Sequence, residues 1–263
     1  YSNADYEAST STPTNAGTYT VTATITDTNY VIEETTAEFV IEKAEITEPV
    51  ILSKVYTGTV LTADISDTEL YKVTTNEGGT NVGEYEVILT LKDSSNYKWS
   101  TTENKEVVVT FEITIAQAEI SDLTITGWAY GDTANEPSAT TNFGTITYTY
   151  SSTLDGEYIS TVPTNAGTHY VKASVTGTSN YTSAESTYAF EITKGTNTIE
   201  LSSDNDIEVE YGLAYVLPTA TARFGTPSIT YTYFENAESV GEIVATPSNV
   251  GRYEVRWTVA GTS

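Results

Sequence analysis

The stretch PTNAGTYTVTATI at residues 13–25 decides the fold, and it returns as PTNAGTHYVKASV at residues 163–175. After its Asn-Ala-Gly, apolar or aromatic side chains alternate with threonine. In the first copy these side chains belong to Tyr19, Val21, Ala23 and Ile25. Alternation with a period of two residues predicts a β-strand with one buried face.

The Asn-x-Gly element occurs four times, each time directly before an alternating stretch. Its glycines are Gly17, Gly83, Gly167 and Gly251, which are separated by 66, 84 and 84 residues. A period of the size of a small domain indicates tandem copies of one structural module. The sequence therefore predicts several similar modules in a row rather than one domain with a single large core.

Other landmarks follow the Asn-x-Gly element in a constant order. An Asn-Tyr pair follows the first three copies, at residues 29–30, 96–97 and 180–181, and a second alternating stretch comes after each pair. These landmarks predict four segments, at residues 1–43, 44–117, 118–195 and 196–263. We expect the first to be the C-terminal part of a repeat and the last to lack its final strand.

The composition favours sheets over helices. Tyrosine alone occurs 20 times, and threonine, valine and isoleucine are abundant. These residue types fit a pleated, half-buried surface, and no stretch shows apolar side chains at helical spacing. Short strands separated by Gly, Asn, Asp and Ser are typical of sandwiches. We therefore expect an all-β protein of tandem immunoglobulin-like β-sandwich domains in an elongated array.

An aromatic or histidine side chain follows each Asn-x-Gly glycine by two residues, which resembles the tyrosine corner of immunoglobulin-like sandwiches. There the ring packs in the core and the hydroxyl bonds to backbone across the loop. The predicted structural residues are Asn15, Gly17, Tyr19, Asn81, Gly83, Tyr85, Asn165, Gly167, His169, Asn249, Gly251 and Tyr253. In the third copy, either His169 replaces the hydroxyl's hydrogen bond or the adjacent Tyr170 supplies it.

Several motifs resemble MBG-type bacterial immunoglobulin-like repeats. They are AGTYTVTATITDTNY at 16–30, FVIEKA at 39–44, WAYGD at 128–132 and VEYG at 209–212. Such repeats occur in tandem in large surface-anchored or secreted bacterial proteins, often described as adhesins. The resemblance implies an extracellular protein, on the bacterial cell surface or secreted, in which the repeats mostly serve as stalk or spacer.

Catalytic chemistry finds little support among the residue types present. His169 is the only histidine, and it lies where the other three copies carry tyrosine, so we expect it to be structural. The chain has no cysteine, which excludes thiol nucleophiles, thiolate metal sites and disulfides. Carboxylates are numerous, but none lies in a non-repeated insertion that resembles a cleft. We expect no enzymatic activity and no catalytic residue.

One acidic cluster has the chemistry of a calcium site. Asp204 and Asp206, with Glu208 and Glu210 nearby, offer the hard oxygen ligands that Ca²⁺ prefers. Their spacing lacks the glycine and the terminal glutamate of an EF-hand loop. A solvated turn before a strand is the alternative interpretation, and no other cofactor is expected.

The net charge limits the classes of partner. With 36 acidic and 11 basic side chains, the net charge is −25, which predicts repulsion from nucleic acid and from anionic membranes. No apolar run approaches the ~18 residues of a membrane helix. We expect no nucleic-acid partner and no membrane insertion, and neighbouring repeats of the same protein are the expected contacts.

The first functional hypothesis is a structural stalk or spacer segment of a bacterial surface protein. The alternative is an adhesive module that binds glycan or protein through exposed loops, with Tyr97 and Trp99 as candidate ligand contacts. A second alternative is a filament subunit. In it, residues 1–43 of one molecule complete residues 196–263 of a neighbour, which gives a head-to-tail assembly.

Overall fold

The computed structural model describes an all-β chain. No helix occurs among the residues that the structure describes, which are 1–3, 8–31, 33, 35–202, 207–235, 238–243 and 245–261. Within them, no helix is long and apolar enough to cross a membrane. The strands lie where the alternating stretches predict them, and this confirms the all-β prediction.

Residues 1–43 contribute one antiparallel pair, β1 (Gly17–Ala23) and β2 (Thr35–Ile41). Tyr19 in β1 is buried, and its ring stacks on Phe39 opposite it, with 5.5 Å between ring centroids. Ile25, predicted to face inward, is 48% exposed because β1 ends two residues earlier, at Ala23. Burial on this strand is therefore confined to its first half.

Residues 44–117 contribute two sheets. The strands are β3 (Ala44–Ile46), β4 (Lys54–Val55), β5 (Tyr71–Thr75), β6 (Gly83–Leu91), β7 (Tyr97–Trp99) and β8 (Glu106–Thr114). One sheet has the order β4-β8-β6-β5, and the other pairs β3 with β7 in parallel. The long strands β6 and β8 are antiparallel and place Tyr85 opposite Phe111.

The core of this segment receives side chains from both sheets. Val87 and Leu89 on β6 and Phe111 on β8 are buried together with Ile46 on β3 and Trp99 on β7. The buried apolar residues of β6, Val87, Leu89 and Leu91, are two positions apart, as the alternation predicts. Burial of such apolar side chains is the main favourable term in folding.

Residues 118–195 also contribute two sheets, but here the two-stranded one is antiparallel. The strands are β9 (Ile120–Thr124), β10 (Trp128–Ala129), β11 (Ser138–Thr141), β12 (Thr147–Ser151), β13 (Gly167–Val175) and β14 (Ala184–Thr193). They form a four-stranded sheet of order β10-β14-β13-β12 and the pair β11-β9. Their core contains Trp128, Tyr150, Val171, Phe190 and Ile192.

Residues 196–263 contribute a pair and a three-stranded sheet. The strands are β15 (Ile199–Leu201), β16 (Ala220–Ala222), β17 (Ser228–Glu235), β18 (Glu238–Ile243) and β19 (Arg252–Thr258). β15 pairs with β16, and β17 lies between β18 and β19. Tyr231 at the centre of β17 is buried.

Each sheet is built from strands of a single predicted segment. A parallel bridge between Ala116 and Tyr181, outside the strands, is the counterpart of the pairing between Ala44 and Tyr97. By this correspondence Ala116 takes the place of Ala44. The segments are thus distinct in their strand pairing.

Candidate functional site: a repeated contact between turns and loops

The four turns before β1, β6, β13 and β19 share one side-chain contact. In three of them a tyrosine hydroxyl donates to the backbone carbonyl of the asparagine four residues earlier. The distances are 3.0 Å for Tyr19 to Asn15, 2.8 Å for Tyr85 to Asn81 and 3.2 Å for Tyr253 to Asn249. This is the contact that a tyrosine corner requires, and it closes each turn over the start of its strand.

The third turn uses histidine instead. His169 is buried, and its Nε2 lies 2.8 Å from the carbonyl oxygen of Asn165. Because a carbonyl only accepts, Nε2 must carry the proton. Of the two alternatives that the sequence leaves open, His169 itself makes the contact and Tyr170 does not replace it. Its Nδ1 is buried without a hydrogen-bond partner.

Glycine is required in the first three turns by the backbone conformation. Gly17, Gly83 and Gly167 have φ angles of +152°, +157° and +141°. Residues that have a Cβ rarely adopt these positive φ angles, whereas glycine adopts them freely. The first three Asn-x-Gly elements therefore fix the path of the chain into their strands.

The first turn is capped by an asparagine that lies 80 residues later. The backbone N–H of Ala16 donates to Oδ1 of Asn96 over 2.8 Å. In return, Nδ2 of Asn96 donates to Oδ1 of Asn15 over 3.3 Å. The backbone carbonyl of Asn96 also accepts from the N–H of Ala44 over 2.9 Å. One residue of segment 44–117 thus holds both the turn of the preceding segment and the join between them.

The second turn is capped in the same way by Asn180. Its Oδ1 accepts from the backbone N–H of Val82 over 2.8 Å, and its Nδ2 donates to Oδ1 of Asn81 over 3.0 Å. Its backbone carbonyl accepts from the N–H of Ala116 over 3.0 Å. Three matching hydrogen bonds recur at corresponding places, so the contact is a feature of the repeat.

The capping loops are organised by their own hydrogen bonds. In the first, the carboxylate of Asp93 accepts from the backbone N–H of Asn96 over 3.2 Å and from its Nδ2 over 2.8 Å. The side-chain hydrogen bond from Asn96 is the largest cause that holds the pKa of Asp93 below its usual value. In the second loop, Oγ1 of Thr178 accepts from the N–H of Asn180. The asparagine is therefore oriented before it contacts the turn.

An aromatic contact accompanies the cap at the second joint. Tyr56 lies against Phe143 and Tyr181, with ring centroids 5.4 and 6.2 Å apart, and Phe143 stacks on Tyr181 at 5.3 Å. These residues come from both sides of the boundary between residues 44–117 and 118–195. Aromatic pairs of this kind add stabilisation beyond the area they bury.

A related contact joins residues 118–195 to residues 196–263. Tyr130 packs on Phe224 with 5.0 Å between ring centroids. Next to it, Nη2 of Arg223 lies 2.7 Å from a carboxylate oxygen of Asp132. Both partners of this ion pair are substantially exposed, so we assign it little stabilisation. The aromatic pair is the stronger part of this joint.

Two cavities lie at these boundaries. One, of about 250 Å³, is lined by residues 16–18, 40–43, 95, 98 and 103. The other, of about 380 Å³, is lined by residues 128, 130–132, 134, 162–164 and Phe224. Both are open to solvent. They mark the junctions between segments rather than a deep ligand pocket.

The structure corrects the predicted ligand contacts. Trp99, predicted to be an exposed loop residue, is 1% exposed and forms the end of β7. Its ring packs on Tyr71, and its Nε1 donates to the carbonyl of Lys105 over 3.3 Å. Tyr97 is half-buried and packs on the same core. β7 pairs with β3, and the side chain of Trp99 lies in the core although most residues of the loop after it are exposed. Trp99 is therefore not an exposed ligand contact.

The predicted calcium ligands Asp204 and Asp206 lie outside the described residues. Within the part of the chain that the structure describes, no group of three or more His, Cys, Asp or Glu side chains is placed to hold a metal ion. Asp132 is paired with Arg223.

The capping role of Asn96 and Asn180 was not predicted. The Asn-Tyr pair is visible as a landmark in the sequence, but its partner lies in the preceding segment. The recurrence of an asparagine on a turn was the available signal. Asn is a residue whose side chain pairs readily with backbone groups, as a donor and as an acceptor.

Comparisons with known proteins give one match. No curated protein matches the chain, and no solved structure matches it. A family model described as the MBG domain matches residues 2–45. This segment contains the first Asn-x-Gly turn, β1, the Asn-Tyr pair and β2. The MBG domain model therefore confirms the resemblance to MBG-type repeats for residues 2–45.

Proposed function

We propose that this chain is a structural spacer from a bacterial cell-surface or secreted protein. Its units are consecutive immunoglobulin-like β-sandwich domains at residues 44–117 and 118–195, flanked by parts of further units at residues 1–43 and 196–263. The chain is not an enzyme in this proposal. Its role is to project and space other parts of a larger protein.

The observation that carries the proposal is the recurrent cap. Asn96 and Asn180 make the same three hydrogen bonds at two successive boundaries, and in each set the two side-chain bonds reach the preceding segment. In arrays of repeats, each unit contacts only its neighbours, and the interfaces between neighbours set the curvature and the stability of the array. A cap repeated at two successive joints limits bending there, which a spacer needs.

The placement of the cores supports separate two-layer units. Residues 44–117 and 118–195 each have a buried cluster of their own. The first cluster includes Ile46 and Trp99 from the small sheet and Val87 and Phe111 from the large one. A core between two sheets is what a sandwich requires. Each unit therefore adds length without depending on a shared core.

The charge is compatible with an exposed, extended role. A net charge of −25 favours solubility and disfavours nucleic acid as a partner. The adhesive alternative is less well supported, because Tyr97 and Trp99 are packed in the core of their segment.

Small-angle X-ray scattering tests the spacer proposal. A compact domain of 263 residues has a radius of gyration of about 18 Å. We expect a value well above this for the monomer at low concentration, with a rod-like profile. A value near that of a compact domain would contradict the proposal.

The double variant Asn96→Ala and Asn180→Ala tests the role of the caps. We expect its scattering profile to report a more flexible chain with unchanged secondary structure, because both joints lose their side-chain hydrogen bonds. Asn104→Ala is the matched control, since Asn104 is an exposed asparagine of the same segment outside the joints. Equal scattering profiles for the double variant and the control would show that contacts other than the caps limit bending at the joints.

A further inference from the structure

An uncharged stretch of the second segment, at residues 49–53, belongs to neither of its sheets. It lies between β3 and β4 and contains no turn or bend. Val50 and Leu52 are 92% and 82% exposed, whereas Ile51 between them packs on the core. This is the alternation of a strand with one buried face. The stretch therefore has the form of an additional strand at the edge of the unit.

The backbone groups of this stretch have no partner. Among the residues that the structure describes, none makes a hydrogen bond to the N–H or carbonyl groups of residues 50–53. A strand edge with unpaired backbone groups is a template for pairing with another chain. Addition of a strand at such an edge is an established way in which proteins bind one another.

Residues 118–195 show the same edge in the next unit. The short strands β4 and β10 pair with corresponding positions of β8 and β14, so Val50 and Leu52 correspond to Thr124 and Thr126. Both threonines are exposed, although this unit has further segments on both sides in the chain. The exposure of the edge is therefore shared by both units, whereas its apolar side chains are particular to residues 44–117.

The unit at residues 118–195 also supplies its own partner for this edge. Thr124 pairs with Ser138 on β11, and Nδ2 of Asn135 donates to the carbonyl of Thr126 over 3.0 Å. The connection from β4 to β6, which the structure describes throughout, is ten residues shorter than that from β10 to β13. It contains no strand that pairs with residues 49–53. The edge of the second unit therefore lacks the strand that covers it in the next one.

We propose that residues 49–53 pair antiparallel with the same residues of a second copy of this chain, with Ile51 on the twofold axis. Val50 then lies opposite Leu52 of the second copy, and each such pair exchanges two backbone hydrogen bonds. In this register Pro49, which has no N–H, falls at a position where the ladder needs no donor. The second copy thus supplies the missing strand.

The charges that flank the stretch favour a second copy as the partner. Glu48 of one copy lies opposite Lys54 of the other, so opposite charges enclose an apolar centre at both ends. Within one copy, Glu48 accepts from the hydroxyls of Ser100 and Thr101. Lys54 lies 2.6 Å from a carboxylate oxygen of Asp64. These contacts hold both charges near the ends of the stretch before association.

The contact is isologous, so it closes at two copies and does not grow into longer assemblies. Five residues from each copy bury a small surface, which is typical of weak complexes. The net charge of −25 on each copy opposes association, so salt that screens long-range repulsion strengthens the dimer. The proposal goes beyond the spacer function, because it joins two chains through an internal unit.

Sedimentation equilibrium of the full chain tests the proposal at about 0.15 M salt, with the protein at up to about 1 mM. We expect the mass to rise with concentration and to level off at twice that of one chain. The double variant Val50→Thr and Leu52→Thr introduces the residues of the next unit and should weaken dimerisation at least about tenfold. Val108→Thr, a change of another exposed valine in the same segment, should dimerise like the original chain.

Cysteine pairing tests the register independently, because the chain has no cysteine. Val50→Cys and Leu52→Cys each place one thiol at an exposed position. Under mild oxidation, a mixture of the two variants should give more disulfide-linked dimer than either variant alone, because residue 50 of one copy faces residue 52 of the other. Equal yields would overturn the pairing. A mass that stays at that of one chain, growth beyond two copies, or unchanged dimerisation of the double threonine variant would overturn it as well.

Discussion

Oδ1 of Asn96 accepts a hydrogen bond of 2.8 Å from the backbone N–H of Ala16, which lies 80 residues earlier in the chain. Asn180 and Val82 repeat this relationship with the same distance. The side chain of one segment therefore completes the turn of the segment before it. The repeated sequence is therefore accompanied by a repeated contact between segments.

The first prediction concerns the loop that orients Asn96. Asn96→Ala removes the side-chain donor that is the main cause of the lowered pKa of Asp93, so this pKa should rise toward its ordinary value of 3.8. Carboxyl chemical shifts measured by NMR during an acid titration report it. Asn104→Ala should leave the titration of Asp93 unchanged. A pKa that stays equally low in Asn96→Ala would show that the loop is organised by other groups.

The second prediction concerns Trp99. Trp99→Ala should lower the free energy of unfolding by about 3–5 kcal/mol, as for other buried aromatic side chains. The ring is 1% exposed and packs on Tyr71. Urea unfolding followed by circular dichroism measures the change. Tyr30→Ala, which truncates an exposed aromatic residue, should cost far less, and equal costs would contradict the burial of Trp99.

The third prediction uses the histidine at a tyrosine position. His169→Tyr should raise the free energy of unfolding by about 1 kcal/mol, because it removes a buried nitrogen without a partner and keeps a donor to Asn165. His169→Phe fills the site without that donor and should be less stable than His169→Tyr. Thermal unfolding of the three proteins decides the order. If the phenylalanine variant is the more stable, the hydrogen bond at the turn contributes nothing.

The fourth prediction concerns acid stability. Hydrogen bonds from the hydroxyls of Ser100 and Thr101 lower the pKa of Glu48 from 4.5 to about 2. A carboxyl whose pKa is lower in the folded state stabilises it above the unfolded pKa, and this contribution is lost as pH falls through the folded value. The melting-temperature advantage over Glu48→Gln should therefore be full above pH 4.5 and disappear near pH 2.

Ser100→Ala tests the cause of the lowered pKa of Glu48 independently. Removal of this donor should raise the pKa of Glu48 and move the loss of stability to higher pH, since Ser100 is the largest cause of the shift. An advantage over Glu48→Gln that stays constant from pH 6 to 2 would contradict the role of Glu48.

The sequence predicts the strands because their alternation is a local property. Val171, Ala173 and Val175 are all buried, two positions apart, as the period of two requires. Thr90 departs from the pattern. The period of two that places Leu89 and Leu91 inward would place Thr90 outward, yet Thr90 is buried, and Oγ1 of Thr74 on the neighbouring strand lies 3.0 Å from its hydroxyl. The local alternation does not predict which outward-facing side chains a neighbouring strand will cover.

The contacts between segments and the burial of Trp99 could not be predicted from the sequence. The loop at residues 92–106 is rich in polar residues, which predicts exposure, yet the parallel pairing of β7 with β3 places Trp99 in the core. The cap likewise depends on contact between residues 80 and 98 positions apart. Neither can be read from a local pattern, because both arise from pairing between distant parts of the chain.

Amide hydrogen exchange at the turns tests the central claim most directly. Val82 and Ala16 have N–H groups capped by asparagine, whereas Ala166 occupies the corresponding place without a cap. In the dilute monomer, the amides of Ala16 and Val82 should exchange at least about tenfold more slowly than that of Ala166 once intrinsic rates are corrected. Equal exchange at the three turns would contradict the claim that Asn96 and Asn180 cap the turns of the segments before them.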